Sequence, residues 1–402
     1  MKVALFTETY IPDVNGVATH VKTLKLGLEA MGHEVLVVCA DKHCKHHYIQ
    51  DGVLHCPSIE MKRFYGFGAA PPYSRRRLKL VQDFGPDIIH IHHEFGIGLS
   101  GIMYAKLHKK PLVYTLHTMY DEYMCYIARG RLLNTARKVS QQYERFIAGN
   151  ATELTGPSRK CGEYFRRIGV KKEVNVIPNS ADLELFDCSM VTLEQKTELR
   201  RELGIPKGRM IVCWAGRMGK EKSIDVLLDY WARCFSGDNG FHLLLMGDGP
   251  CRTELEKLAQ NLGITDSVTF AGMVMNTDMP LYYAISDAFA SASLSEMNSI
   301  SMLEGMACGL PVLQRYDELN ADQIKSGING YLFTTPQEFE MELRSIKGHN
   351  PVEIEELKRQ VRSSVVDRGS KDLAGYMFGI YEKAAARSKA LPVRQFSLWL
   401  DR

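Results

Sequence analysis

No stretch of the 402 residues approaches the ~18 uncharged apolar residues that a membrane span requires. No Cys-x-x-Cys pair occurs among the ten cysteines, at positions 39, 44, 56, 125, 161, 188, 213, 234, 251 and 308. So scattered, they read as reduced thiols and not as a disulfide framework. Internal repeats and low-complexity tracts are missing as well. The opening Met-Lys-Val-Ala-Leu-Phe-Thr-Glu has too short an apolar run for a signal peptide and meets an acid at Glu8, so the expectation is a cytosolic protein. Neither the glycine–aromatic pattern of an RNA-binding sheet nor zinc-finger spacing is present, and nucleic acid is not an expected partner. What is present is ordinary for a soluble globular chain: 45% apolar and 24% charged residues, in a length that exceeds one usual core and favours two domains.

The net charge of +3 hides an asymmetry. Residues 1–180 carry 25 Lys/Arg against 16 Asp/Glu, and the remainder carries 25 against 31. A basic half by itself suits nucleic acid, an anionic membrane surface or an anionic substrate. Short β-branched runs alternate with amphipathic stretches throughout, which predicts an α/β fold of parallel sheets covered by helices. Strands are expected at Lys2–Phe6, Glu34–Cys39, Asp87–His92, Leu112–His117 and Glu173–Ile177, and again at Met210–Trp214, His242–Met246, Val268–Phe270 and Ala288–Ser291. Val17, Val21, Leu24 and Leu28 recur at helical spacing over 17–31; further helices are expected near Ser223–Cys234, Arg252–Leu262 and Ile300–Ala307. A Pro-Asn break after Ile177 and the change in charge sign place a domain boundary at about 178–190, dividing the chain into 1–178 and 179–372. Two doubly wound domains would bind their ligands in a cleft beyond the carboxyl ends of the strands.

Several motifs fall where that cleft would be. Gly16 follows the first strand and opens the first helix, where a glycine lets N–H groups approach an anion, although many such turns carry one for geometry alone. Gly247-Asp-Gly249-Pro superficially suggests a dinucleotide fingerprint, but position 252 is Arg and no acid ends the next strand, so a nicotinamide cofactor is rejected. Arg217 and Lys222, just past a strand, could bind a diphosphate or form a solvated basic turn. Glu296 and Glu304 flank a helix start at Asn298–Ile300 whose free N–H groups could meet a phosphate; one carboxylate could take sugar hydroxyls and the other ribose hydroxyls. His117 closes a strand and is placed to hydrogen-bond a sugar. The sequences His90-Ile-His92-His93 and His43-Cys44-Lys-His46-His47 invite a metal reading, but strand alternation splits the first set between two faces and the second lies in a charged loop; no metal site is expected. Residues 61–79 mix cations, among them Arg75, Arg76 and Arg77, with Phe64, Tyr65 and Phe67, and more basic residues recur at Arg129, Arg131, Arg137 and Lys138. Those residues fit either a membrane-facing segment or a solvated loop.

Their order along one chain resembles the family-4 glycosyltransferases, retaining sugar transferases with two facing Rossmann-like domains (GT-B). The likeness runs from Gly16 through Ile177-Pro-Asn179-Ser, Ala-Gly-Arg217 and Glu-Lys222, and the two glutamates, to Gly327-Ile-Asn-Gly330-Tyr-Leu-Phe. It implies a C-terminal domain that binds a nucleotide sugar: Arg217 and Lys222 on the diphosphate, Glu304 on the ribose, and backbone N–H groups around Asn298, Ser299 and Ile300. His117 and Glu296 would be the catalytic-site residues contacting the donor sugar, and Gly16 and Glu122 would lie on the acceptor side. It also implies a last helix, from about residue 373 to the end at 402, that returns to the N-terminal domain, and no metal or other cofactor. Within the family, Thr7-Glu-Thr-Tyr-Ile-Pro, Asn15-Gly-Val-Ala-Thr-His-Val, His90-Ile-His-His-Glu-Phe and Thr115-Leu-His-Thr-Met-Tyr-Asp-Glu-Tyr123 resemble the diacylglycerol glucosyltransferases, peripheral membrane proteins. The expected reaction is therefore transfer of glucose from UDP-glucose to a membrane lipid such as 1,2-diacylglycerol, at the inner face of the cell membrane. A soluble or polysaccharide acceptor, and a non-catalytic nucleotide-sugar-binding protein, are the alternatives. Met297, Asn298 and Ser299 stand where the family usually has a small residue or Thr, then Phe or Gln, then Gly, which leaves the donor sugar open.

Overall fold

The computed structural model describes residues 1–13, 15–61, 67–120 and 131–390. Ten strands lie in the first part: β1 Lys2–Thr7, β2 Glu34–Asp41, β3 Tyr48–Gln50, β4 Val53–Pro57, β5 Ile59–Met61, β6 Phe67–Ala69, β7 Ile88–Ile91, β8 Leu112–Thr115, β9 Glu153–Gly156 and β10 Val174–Val176. Eight of them form one sheet in the order β10-β9-β8-β7-β1-β2-β4-β3, parallel except at the β3 edge. Because both faces of such a sheet are covered, its central strands are unbroken apolar runs, as in the buried Val3-Ala4-Leu5-Phe6 of β1. Helices α1 Gly16–Ala30, α2 Arg75–Phe84, α3 Gly96–Leu107, α4 Arg131–Asn150 and α5 Arg159–Arg167 supply the cover. Val81, Ile102, Ile147 and Phe165, from α2, α3, α4 and α5, belong to the core on one face, while Val21, Leu24 and Leu28 of α1 belong to the core on the other.

The second sheet contains β11 Met210–Ala215, β12 Phe241–Met246, β13 Val268–Gly272, β14 Ala288–Ser291, β15 Val312–Arg315 and β16 Gly330–Phe333, in the order β13-β12-β11-β14-β15-β16, all parallel. The helices around it are α6 Leu193–Glu202, α7 Ile224–Phe235, α8 Arg252–Asn261, α9 Met279–Ala284, α10 Ile300–Ala307, α11 Pro336–Gly348 and α12 Pro351–Ser363. Strand order reverses between β11 and β14, as it does between β1 and β7 in the first sheet; such switch points open a crevice at the carboxyl ends of the strands. The α/β class with two doubly wound parallel sheets is what the alternating pattern predicts.

The last described helix, α13 Ser370–Ala390, packs against α1 at Gly27, where an added Cβ would lie 2.1 Å from the Ser370 carbonyl oxygen. Its Leu373, Met377 and Tyr381 complete the core on the α1 side. Across the crevice, Lys160 of α5 donates to Asp317 Oδ2 at 2.7 Å and to the Leu294 carbonyl. The backbone N–H of Asn179 donates to Asn298 Oδ1 at 2.9 Å, and its side-chain Nδ2 donates to the Asn298 carbonyl at 2.7 Å. One expectation needs correcting: Cys188 and Cys308 are joined in a disulfide, with Cα atoms 5.2 Å apart across a sequence separation of 120. Packing of the segment after Asp187 against the end of α10 brings them together, and no sequence spacing signals a pairing so distant. The other described cysteines are free. Among the described residues no helix is long and apolar enough to cross a membrane.

Candidate functional site

The two loops leaving the β11–β14 switch point carry most of the expected donor-side residues. After β11 the chain passes Arg217 and turns through a short 3-10 segment, Lys220–Lys222. Gly247 and Gly249, after β12, press against this loop. An added Cβ at Gly247 would lie 1.9 Å from the Gly216 carbonyl oxygen, and one at Gly249 2.6 Å from that of Met218. Those glycines therefore serve a close backbone approach, which accounts for a fingerprint-like spacing without a dinucleotide. From the loop after β14, Ser293 and Ser295 donate to the Glu221 carbonyl at 3.0 and 2.6 Å and fix the turn.

Both expected cations are held by carboxylates. Arg217 Nη2 lies 2.6 Å from Glu221 Oε1, and Lys222 Nζ lies 2.7 Å from Glu296 Oε1. The structure thus brings Lys222 and Glu296 together from segments 74 residues apart in sequence. Asn320 Nδ2 donates to the Glu296 carbonyl and steadies the loop.

Helix α10 begins beside these groups. Ser299 is its N-cap, accepting from Met302 N at 3.4 Å, and Ser301 Oγ donates to the Ala215 carbonyl at 2.9 Å, tying the helix start to the end of β11. Glu304 lies one turn further on, buried, with Tyr283 Oη donating to its Oε2 at 3.3 Å; desolvation pushes its carboxyl up to about 8. The Asn298 side chain accepts from Asn179 N and, through Nδ2, donates to Gln323 Oε1 at 2.8 Å. Met297 points the other way, packing into the core of the first domain with Cys161 Sγ 3.3 Å from its sulfur.

The opposite wall comes from β1, β7 and β8. Gly16 opens α1, with Asn15 capping it through Ala18 N at 2.9 Å. An added Cβ at Gly16 would come within 3.7 Å of Ile300 Cδ1, so the N-terminal ends of α1 and α10 meet across the cleft. His117 lies two residues past β8, partly buried, with its Nε2 3.1 Å from His92 Nδ1. As alternation requires, His93 turns to the other face, where its Nδ1 lies 3.0 Å from Thr7 Oγ1 and 3.1 Å from Glu8 N. Glu122 lies outside the described residues, as do Lys62, Arg63, Phe64, Tyr65 and Arg129.

Three residues inside the resemblance motifs were not expected as site residues. His20 of α1 stacks edge-on to His117, ring centroids 4.7 Å apart. Glu8, just after β1, accepts from Ile97 N at 2.7 Å at the start of α3, and Glu94 accepts from Tyr114 Oη at 2.5 Å; burial pushes both carboxyls up to about 7. Only an acid in the first turn after a strand hinted at Glu8, and nothing local marks His20, because its neighbours come from β7 and β8.

Residues 14–185 match the family described as Glycosyltransferase Family 4, and residues 195–359 match Glycosyl transferases group 1. The chain is 34% identical over 316 residues to the alpha-monoglucosyldiacylglycerol synthase of Streptococcus pneumoniae, covering 78% of this chain and 70% of that one. It is 31% identical over 358 residues to the protein of the same name from Acholeplasma laidlawii, covering 87% and 89%. Among solved structures, the sucrose-phosphate synthase of Thermosynechococcus elongatus has the same fold, with a TM-score of 0.75 at 20% identity over 96% of this chain and 99% of that one.

Proposed function

The chain belongs to the family-4 glycosyltransferases, enzymes of GT-B architecture, and from that premise we propose that it transfers glucose from UDP-glucose to 1,2-diacylglycerol on an anionic membrane surface, with retention of configuration. The observation that carries the reading is the group at the second switch point: Arg217 and Lys222 paired to Glu221 and Glu296, beside the N-terminus of α10, with buried Glu304 one turn on. A diphosphate entering there takes over the two cations and meets the partial positive charge of the helix start. As the anomeric C–O bond breaks, charge grows on the leaving phosphate, and Arg217, Lys222 and the α10 N–H groups near Ser299 and Ile300 stabilise it. Displaced from Lys222, the Glu296 carboxylate accepts sugar hydroxyls, while His117 holds the sugar from the opposite wall. Glu304 accepts the ribose hydroxyls. The reading requires no metal or other cofactor, because these groups meet the developing charge.

Glucose and diacylglycerol are supported by the names of the two monoglucosyldiacylglycerol synthases. Met297, one of the three departures from the family pattern, packs against Cys161. Acceptor-side assignments stay with Gly16 and Glu122.

A membrane-facing surface is supported by the layer α2, α3 and α4, which shares one face of the first sheet. Leu132, Val139 and Phe146 recur every seventh residue on α4 and are 72%, 64% and 51% exposed, and Leu107 at the end of α3 is 70% exposed. Lys138 and Arg145 flank that stripe, and Lys106 Nζ lies 5.7 Å from the Phe146 ring centroid. Exposed apolar residues ringed by cations are the pattern of a helix lying in a lipid interface. The enzyme would work as a peripheral protein on the cytoplasmic face of the cell membrane. Flotation with anionic vesicles tests this: binding that weakens with salt supports it, and an enzyme that stays with the soluble fraction at low salt would instead serve a soluble acceptor.

A further inference from the structure

We infer that His20, His92 and His117 form a binding site for a borderline divalent transition metal, Zn²⁺ being the best fit, at the floor of the cleft. Each contributes one ring nitrogen, and these atoms lie within 4.8 Å of one another. A tetrahedral zinc with Zn–N bonds of ~2.0–2.1 Å places its ligand nitrogens about 3.3 Å apart. His92 Nδ1 and His117 Nε2 already lie 3.1 Å apart, so only the His20 ring has to draw in.

The hydrogen bonds around His20 show which of its nitrogens is available. Asn179 Nδ2 donates to the Asn298 carbonyl, which fixes the amide so that its Oδ1 faces His20 Nδ1 at 3.1 Å. An amide oxygen can only accept, so Nδ1 carries the proton and Nε2 keeps its lone pair. That Nε2 is buried without a hydrogen-bond partner. An orphaned acceptor in a buried site is costly, and a cation or a donor hydroxyl would relieve it. The Asn179 contact also has the form of the outer support that metal-bound histidines usually receive.

The neighbouring His90 is not part of the site. Its Nδ1 is taken by Tyr381 Oη at 2.8 Å and its Nε2 by Thr115 Oγ1 at 2.7 Å. Imidazoles without carboxylates select Zn²⁺, Cu²⁺ or Ni²⁺ over Mg²⁺ or Ca²⁺, and three protein ligands leave a fourth position open toward the cleft. If His117 contacts the donor sugar as proposed above, a bound ion withdraws it, and zinc inhibits by competing with the donor.

The test reads metal directly, without turnover. Chelator-stripped full-length protein is titrated with Co²⁺, followed by its visible absorption, and then with Zn²⁺ by calorimetry; absorption at the zinc edge reports the ligand set of the wild-type protein. One ion per chain in a mostly imidazole, four-coordinate environment is expected, with affinity at least tenfold lower in His20→Ala and in His92→Ala, while His46→Ala/His47→Ala binds as the parent does. No stoichiometric binding by the wild-type protein overturns the site. So does binding that survives His20→Ala, or binding lost only when the loop histidines are replaced. If His20→Ala fails to fold, the wild-type edge spectrum decides, since fewer than three imidazole ligands contradicts the assignment. Zinc binding without competition against UDP-glucose would leave the site standing and contradict only the placing of the sugar at His117.

Discussion

On the proposed reading, Lys222 and Glu296 define the donor site at the scale of single residues. Their 2.7 Å pair would set an exchange: the diphosphate would take the cation and release the carboxylate to the sugar. Lys222→Ala should therefore lower kcat/KM by about 10²–10³-fold, the usual loss on removing one charge-stabilising group, with thermal unfolding unchanged. Glu304 adds a pH signature. With its carboxyl raised to about 8 it is mostly protonated at neutral pH, whereas ribose hydroxyls call for the carboxylate. UDP binding at pH 7 should then release a proton, seen as a buffer-dependent heat in calorimetry. Affinity should climb as pH rises toward 8 and flatten beyond it, and Glu304→Gln should abolish the slope. Arg217, Lys222, Glu296 and Glu304 could be picked out from the sequence because each sits at a fixed short distance from a strand end or a helix start. The His20–Asn179 and Met297–Cys161 contacts could not, since each depends on which remote segment packs beside it. Asn298 shows the limit from the other side: its place just before α10 could be read from the sequence, but the brace its side chain makes between the two halves could not.

Helix α2 makes the corresponding point for elements. The basic run at 61–79 reads as one segment in sequence, yet Arg75 begins a helix, capped by Ser74 accepting from Arg77 N at 3.3 Å and stopped by Gly85 at φ 71°. Three consecutive arginines on a helix cannot share one environment. Arg75 and Arg76 are exposed, while Arg77 is fully buried and donates to the Pro71 carbonyl at 2.8 Å. Arg75→Gln/Arg76→Gln should weaken binding to anionic vesicles and leave stability alone, whereas Arg77→Gln should cost stability by about 1–3 kcal/mol through buried groups left unpaired, read as a lower denaturant midpoint. On α4, Leu132→Ser/Val139→Ser/Phe146→Ser should reduce vesicle binding further, without changing UDP affinity. Strands with apolar runs, such as β1 and β11, announce themselves. β9 does not, because Glu153-Leu-Thr-Gly offers a single large apolar side chain, and its buried glutamate is met by Lys383 and Arg387 of α13 at 3.5 and 2.6 Å and by Asn175 Nδ2 at 3.1 Å.

At the scale of the whole molecule, two sets of buried groups oppose each other in pH. His20, His93 and His242 are held down to about 4, and His90, His92 and His117 are held well below the ordinary value, by loss of hydration. Below their ordinary value of 6.5 the unfolded chain binds these protons and the folded chain does not, so stability falls as pH falls. Glu8, Glu94 and Glu304 are raised to about 7, 7 and 8, and there the folded chain holds protons that the unfolded chain has released, so stability falls as pH rises above 4.5. With the histidines in the majority below 6.5 and only carboxyls acting above it, denaturant midpoints should peak at about pH 6.5; a steady rise from pH 6 to 8 would contradict these burial assignments. The two sheets meet through Lys160–Asp317 and Asn179–Asn298, so the proposed donor, held on one wall, would face whatever the other wall admits. The account stands on what that is. Product formation from UDP-[14C]glucose with anionic vesicles, with and without diacylglycerol, measures it most directly: a labelled glycolipid only when diacylglycerol is present is the predicted result, and transfer to a soluble acceptor with no lipid product would contradict it.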